Sequence, residues 1–159
     1  MKNAPKTNVM RVLDQHKIAY TPYTYGDGVT ALSGTEVAEL LGKDPLNVFK
    51  TLVTVGRSGR YYVFVVPVCC ELSLKKAAEA AGEKSIEMIR SKELLPLTGY
   101  VHGGCSPIGM KKQFPTFVDS SAQDLPLIMF SGGRIGFQVE LAPADLEKVV
   151  RLTYADLAE

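Results

Sequence analysis

Apolar residues at Val9, Val12 and Leu13, with His16 on the same spacing after Pro5, predict a first helix of about three turns. The β-branched and aromatic run IAYTPYTY, residues 18–25, predicts a strand whose proline suits a sheet edge. After the loop GDGVTAL, Ser33-Gly-Thr-Glu36 has capping-box spacing and leads into Val37, Leu40 and Leu41, with Gly42 as terminator; this predicts a short helix. VFKTLVTV (48–55) and YYVFVVPV (61–68) flank the turn Arg57-Ser-Gly-Arg60 and predict a hairpin at the centre of a sheet.

Beyond the hairpin, Ser73 caps LKKAAEAAG, which ends at Gly82, and SIEMIRSKELL predicts a further short helix stopped by Pro96. The glycines and Ser-Pro pair of LTGYVHGGCSPIGMKKQ predict an ordered but irregular loop. Three short strands follow at 114–119, 127–131 and 135–141, the last two joined by Gly132-Gly-Arg134, and a helix over Pro143–Val150 closes the chain. Strands and helices mix without strict βαβ alternation, so the expected class is α+β with a mixed, largely antiparallel sheet.

The chain has 159 residues, 46% of them hydrophobic, which matches one domain (1–159) able to bury a sizeable core. A formal net charge of +1 excludes a bulk basic field, so any nucleic-acid role rests on a local patch or a partner. Three cysteines, two of them adjacent at Cys69 and Cys70, form neither a disulfide framework nor a C-x-x-C motif, which fits a reducing cytoplasm. No apolar run has the length of a membrane span, and the N-terminus lacks the apolar centre of a secretory signal. No His or acidic pair has metal-ligand spacing, so neither a metal nor another cofactor is expected.

Lys50 interrupts the otherwise apolar VFKTLV. Alternation puts Val48, Lys50, Leu52 and Thr54 on one face and Phe49, Thr51, Val53 and Val55 on the other, and neither reads as a solvent face. Its ammonium either snorkels to water from a strand end or points into a cleft and binds an anion. In His102-Gly-Gly-Cys-Ser-Pro-Ile-Gly109, Gly103 and Gly104 let backbone approach a ligand closely and offer N–H donors, or simply make a turn. The loop is neither a Walker loop nor a dinucleotide fingerprint. Ser131 and Gln138 flank a hairpin turn that accounts for its own glycines, yet both can reach a cleft from strand ends. Cys105 as a nucleophile would need a base, and the chain has only His16 and His102; a packing role suits it better.

Taken together and in this order, VFKTLV, TGYVHGGCSPIGMKKQ and SGGRIGFQVEL resemble the YbaK and prolyl-tRNA synthetase-associated domain family, with GTEVAELLG before the first segment and LSLKKAAEAAG after the hairpin also in place. The chain is most similar to the free-standing YbaK branch, whose members hydrolyse cysteinyl-tRNA carrying the proline anticodon. The resemblance implies a mixed sheet partly closed into a barrel, and an enzyme that cleaves the ester between a wrong amino acid and the terminal adenosine of tRNA. The implied partners are the aminoacyl-tRNA acceptor end and a prolyl-tRNA synthetase.

It also implies that Lys50 is the key site residue, that the Gly103 N–H holds the ester oxygen, and that Tyr25 and Ser131 line the pocket. Gly104 and Ser106 of the same loop join Gln138 as substrate-binding candidates. Gln138 departs from the family, which commonly has an aspartate there, and so puts the amino-acid preference in question. A non-catalytic module that binds tRNA or a synthetase is the alternative.

Overall fold

A computed structural model describes residues 6–159. Helix α1 spans Asn8–Gln15, where the Thr7 hydroxyl accepts from the Met10 N–H at 3.2 Å, and buries Val9, Met10 and Leu13. Pro5, expected at its start, lies outside the described residues. Strand β1 (Thr21–Thr24) is an edge strand, as its proline requires, and α2 (Gly34–Leu40) begins with the expected capping box between Ser33 and Glu36.

The hairpin forms from β2 (Phe49–Gly56) and β3 (Tyr61–Pro67), with Lys50 opposite Val66. Helix α3 (Leu74–Ala81) starts at the Ser73 cap and stops where Gly82 turns left-handed. The segment expected as one helix, SIEMIRSKELL, divides. Ile86–Met88 is strand β4, paired with the end of β2, and α4 covers Ser91–Thr98. Pro96 lies inside α4 and does not stop it. The carbonyl it deprives of a partner belongs to Lys92, an exposed residue that water can serve.

Residues 99–115 form the irregular loop, followed by β5 (Thr116–Asp119), a short 3-10 turn at Ser120–Asp124, β6 (Ile128–Ser131), β7 (Phe137–Leu141) and α5 (Pro143–Val149). The chain closes not on that helix but on strand β8, Leu152–Ala155, which runs parallel to β5. Four strand residues with mixed burial carry little periodicity, and only the pairing to β5 makes them a strand.

Two sheets result, ordered β1-β7-β6 and β4-β2-β3-β5-β8. Four of the pairings are antiparallel and two are parallel. A single bridge between Val48 and Met129 joins the sheets at a corner. They remain open, not closed into a barrel, because among the described residues β1 and β8 each have one strand neighbour only.

Both faces of the central hairpin are covered. Phe49, Val53, Val63 and Val65 pack with α1 and the inner residues Ile128, Phe130, Val139 and Leu141 of the other sheet. Tyr62, Phe64 and Val66 pack under α3 with Leu157. That double burial explains why neither face of VFKTLV reads as a solvent face.

Candidate functional site

Strand β2 has β3 along one flank for its whole length. On the other flank β6 touches it only at Val48, and β4 pairs only from Thr54. Between these points the sheet has a gap. The bonds Val68 N–H to Val48 C=O and Gly56 N–H to Arg60 C=O turn the even-numbered residues of β2 toward β3, so Thr51 presents its N–H and C=O to the gap.

A cleft of about 200 Å³ opens here. Its floor is Val48–Leu52, and its walls are the start of α2 (Ser33, Gly34, Val37), the glycine loop, and the adjoining ends of β1, β6 and β7. Helix α2 reaches it because Gly34 has no side chain: a Cβ there would sit 2.3 Å from the Val68 Cγ1. The volume is below the ~300–1,000 Å³ of ordinary ligand pockets, which suits one amino-acid-sized end of a larger molecule.

Five of the predicted residues meet in this cleft: Tyr25, Lys50, Gly103, Ser131 and Gln138. The Lys50 side chain keeps 29% of its surface, and its Nζ stands 3.6 Å from a carboxylate oxygen of the exposed Glu71. Ser131 lies directly opposite Gln138 in the β6–β7 pairing, and its hydroxyl accepts from the Gly133 N–H at 3.1 Å. Tyr25 follows β1 and is pinned to the same turn by its N–H on the Gly136 carbonyl at 2.9 Å.

The glycine loop is braced at its base. The Tyr100 hydroxyl donates to the Ile108 carbonyl, and the Ile108 N–H donates to the Ser106 hydroxyl at 3.3 Å. At its tip, Val101–Gly104 is a turn closed by Gly104 N–H on the Val101 carbonyl at 3.0 Å. Gly103 stands at its third position with φ +89°, a conformation that type II turns reserve for glycine. Its own N–H has no backbone acceptor among the described hydrogen bonds and is free to serve a ligand.

Gly104 and Ser106, both expected at the substrate, do not line the cleft. A Cβ on Gly104 would lie 3.0 Å from the Ile135 nitrogen, so this glycine lets the loop close onto the β6–β7 turn. Ser106 is fully buried and serves the loop's own backbone. Glycine spacing and a nearby hydroxyl do not distinguish a residue that faces a ligand from one that faces its own scaffold.

Sequence reasoning missed Thr51. Its hydroxyl and the Gln138 Oε1 are buried in the cleft wall without a partner among the described residues. Buried polar atoms are almost always paired, and an unpaired one needs a reason. Here both belong to residues that line the cleft. The only sequence signal was a hydroxyl beside Lys50 in an apolar strand.

Cys105 and His102 also line the cleft. Burial pushes the Cys105 thiol up to about 12, so it is a thiol and not a thiolate near neutrality. No hydrogen bond joins it to His102 among the described contacts. Among the described residues no three His, Cys, Asp or Glu side chains gather as metal ligands, and no helix is long and apolar enough to cross a membrane.

Residues 30–149 match the aminoacyl-tRNA editing domain family. The chain is 48% identical over 158 residues, 99% of its own length and 94% of the relative's, to an Enterococcus faecalis protein named "Putative Cys-tRNA(Pro)/Cys-tRNA(Cys) deacylase EbsC". Two crystal structures share the fold at 24% identity. One, called a "putative trans-editing enzyme for prolyl tRNA synthetase", superposes with TM-score 0.81 over 98% of this chain and 99% of the other; the hypothetical protein APE2540 does so with TM-score 0.84 over 95% and 99%. The family match takes in every residue that lines the cleft except Tyr25, and with it this chain is a member of the aminoacyl-tRNA editing domain family.

Proposed function

We propose that this chain, acting as one editing domain over residues 1–159 in the cytoplasm, hydrolyses mischarged tRNA in trans, with cysteinyl-tRNA carrying the proline anticodon as its main substrate. The observation that carries this reading is the meeting of Lys50, the loop glycine Gly103 with its unengaged N–H, and Thr51 and Gln138, whose buried oxygens lack partners, in the lining of one cleft of amino-acid size. Its small volume leaves the nucleic acid outside, where a prolyl-tRNA synthetase partner would supply the phosphate contacts that a chain of net charge +1 lacks.

The chemistry follows from what each group can do. Lys50 anchors the anionic phosphate or the ribose end of the acceptor strand by charge-assisted hydrogen bonds. The Gly103 N–H receives the ester oxygen as charge develops on it. Gln138 Oε1, an acceptor only, takes a hydrogen bond from the amino acid's ammonium group, and Tyr25 with Ser131 shapes the side-chain pocket. The aspartate common in the family would add a full charge there, whereas Gln138 binds the same group through a neutral dipole.

The relevant nucleophile is the substrate's own thiol. Its sulfur bonds to the ester carbonyl carbon, the bond from that carbon to the ribose oxygen breaks, and the oxygen leaves with the thiol's proton as the free 3′ end. The product is a thiolactone. Oriented intramolecular attack reaches effective molarities of ~10⁵ to 10⁸ M, so positioning supplies much of the acceleration without an enzyme base.

The test is deacylation of cysteinyl-, alanyl- and seryl-tRNA by the purified chain, with filter binding on the same substrates. Fast release of cysteine and much slower release of serine supports the proposal. Equal release of cysteine and serine overturns the substrate-thiol mechanism, and binding without release makes the chain a tRNA-binding module.

A further inference from the structure

Cys69 and Cys70 take no part in the chemistry above, yet they lie one residue from Glu71, the carboxylate on Lys50, and one residue from Val68 in the cleft wall. Their sulfurs stand 3.9 Å apart; Cys69 is exposed and Cys70 half-buried. Burial, the neighbouring Cys69 and the Asp119 carboxylate push the Cys70 thiol up, and the smaller effect of the Lys50 charge opposes them. The segment is tied on both sides. Cys70 N–H donates to the Pro67 carbonyl at 3.0 Å, and Glu71 and Glu159 exchange backbone hydrogen bonds at 2.9 and 3.4 Å.

We propose that Cys69 and Cys70 form a reversible vicinal disulfide that releases Lys50 from Glu71. A hydroperoxide is the oxidant. The exposed Cys69 thiolate bonds to a peroxide oxygen, the O–O bond breaks and a sulfenic acid forms as water or an alcohol leaves. The Cys70 sulfur then attacks the Cys69 sulfur, the S–O bond breaks, and a second water departs. Two thiols lose two electrons and two protons, and the peroxide takes both.

Adjacent Cα atoms are ~3.8 Å apart across a trans peptide, short of the usual ~4.4–6.8 Å for a disulfide. The ring is therefore strained and readily reopened by cellular thiols, which suits a switch and not a staple. To close it the sulfurs must approach from 3.9 Å to about 2.0 Å. With Pro67 and Glu159 anchoring the flanks, the Cys70–Glu71 link absorbs the rotation, and the loosely held carboxylate at 3.6 Å parts from Lys50. In the reduced protein Glu71 competes with the substrate for that ammonium. In the oxidised protein it does not.

The effect on activity rests on the deacylase reading, so the experiment has arms that do not. Peptide mapping after hydrogen peroxide should find the peptide with both cysteines lighter by two hydrogens and closed to alkylation, reversibly with dithiothreitol. Amine acylation at Lys50 should speed up about two- to fivefold on oxidation, the range expected for release of an exposed ion pair. Glu71→Gln should show the faster labelling without oxidant, and Cys69→Ser with Cys70→Ser should show no response. For the deacylase, KM should fall by the same factor with kcat unchanged. Absence of the intramolecular disulfide, a disulfide that leaves Lys50 labelling unaltered, or deacylation whose KM does not move when labelling does, overturns the proposal; altered labelling in a protein that shows no deacylation at all overturns the deacylase reading alone.

Discussion

The Lys50 ammonium stands 3.6 Å from the Glu71 carboxylate at the rim of the cleft, and Glu71 keeps 82% of its side-chain surface. A pair this exposed contributes little stability, about 0–1 kcal/mol. Lys50→Ala should therefore leave the urea midpoint almost unchanged while deacylation falls about 10²-fold or more, as when a charge-stabilising donor is removed. A large loss of stability would show that the lysine supports the fold instead.

Thr51 and Gln138 each bury a polar atom without a partner, which costs about 1–3 kcal/mol per group. Thr51→Val and Gln138→Met remove that cost at nearly constant volume. Urea unfolding should show both variants as stable as wild type or more so. Their kcat/KM on cysteinyl-tRNA should drop, about tenfold or more for Gln138→Met, since a hydrogen bond to a charged donor is worth roughly 1.5–3 kcal/mol. Reduced stability with full activity would mean that these atoms serve the fold.

Gly103 and Gly104 should fail for different reasons. Gly103→Ala forces a Cβ to 2.8 Å from Ala31 Cβ in a left-handed backbone, which misplaces the N–H at the cleft and should lower kcat more than stability. Gly104→Ala sets a Cβ against the backbone of Arg134 and Ile135, which cannot yield as a side-chain tip does. With a contact of 3.0 Å against 2.8 Å and no left-handed strain, it should lower the unfolding midpoint no more than Gly103→Ala does in paired urea titrations, while leaving the cleft N–H in place.

Cys105→Ala should retain deacylation, because its thiol, pushed up to about 12 by burial, is not an ionised nucleophile at neutral pH. A pH–rate profile unchanged between wild type and variant checks this. Loss of activity would point to a cysteine hydrolase.

Asp119 caps the end of the chain: its Oδ1 accepts from the N–H groups of Leu157 and Ala158 at 3.0 Å each, and its Oδ2 from Ser121 N–H at 3.2 Å. Burial alone would raise its pKa, but Ser121 and the two backbone donors outweigh that and hold it below the usual carboxylate value. A depressed folded pKa means that the contribution is fully present above the unfolded value near ~4 and is lost as pH falls through the folded one. Asp119→Ala should cost about 1–3 kcal/mol at pH 7, and its deficit relative to wild type should shrink only below pH ~4.

Local chemistry made much of this protein legible from its residues. Ser33 with Glu36, Ser73 with Gly82, and the hairpin around Arg57–Arg60 are determined by neighbours within a few positions, and they stand where the patterns put them. The candidate site was legible in part: Tyr25, Lys50, Gly103, Ser131 and Gln138, drawn from distant segments, meet in one cleft. The tertiary structure alone decided the rest. Ile86–Met88 and Leu152–Ala155 are strands because β2 and β5 offer them unpaired edges, and Gly104 and Ser106 turn away because the β6–β7 turn and Ile108 occupy their sides. The gap between β6 and β4 that leaves the Thr51 backbone groups without a strand partner belongs to no segment of the chain. Strand pairing is a contact between residues far apart in sequence, so which edges stay open follows only once the strands have found their neighbours.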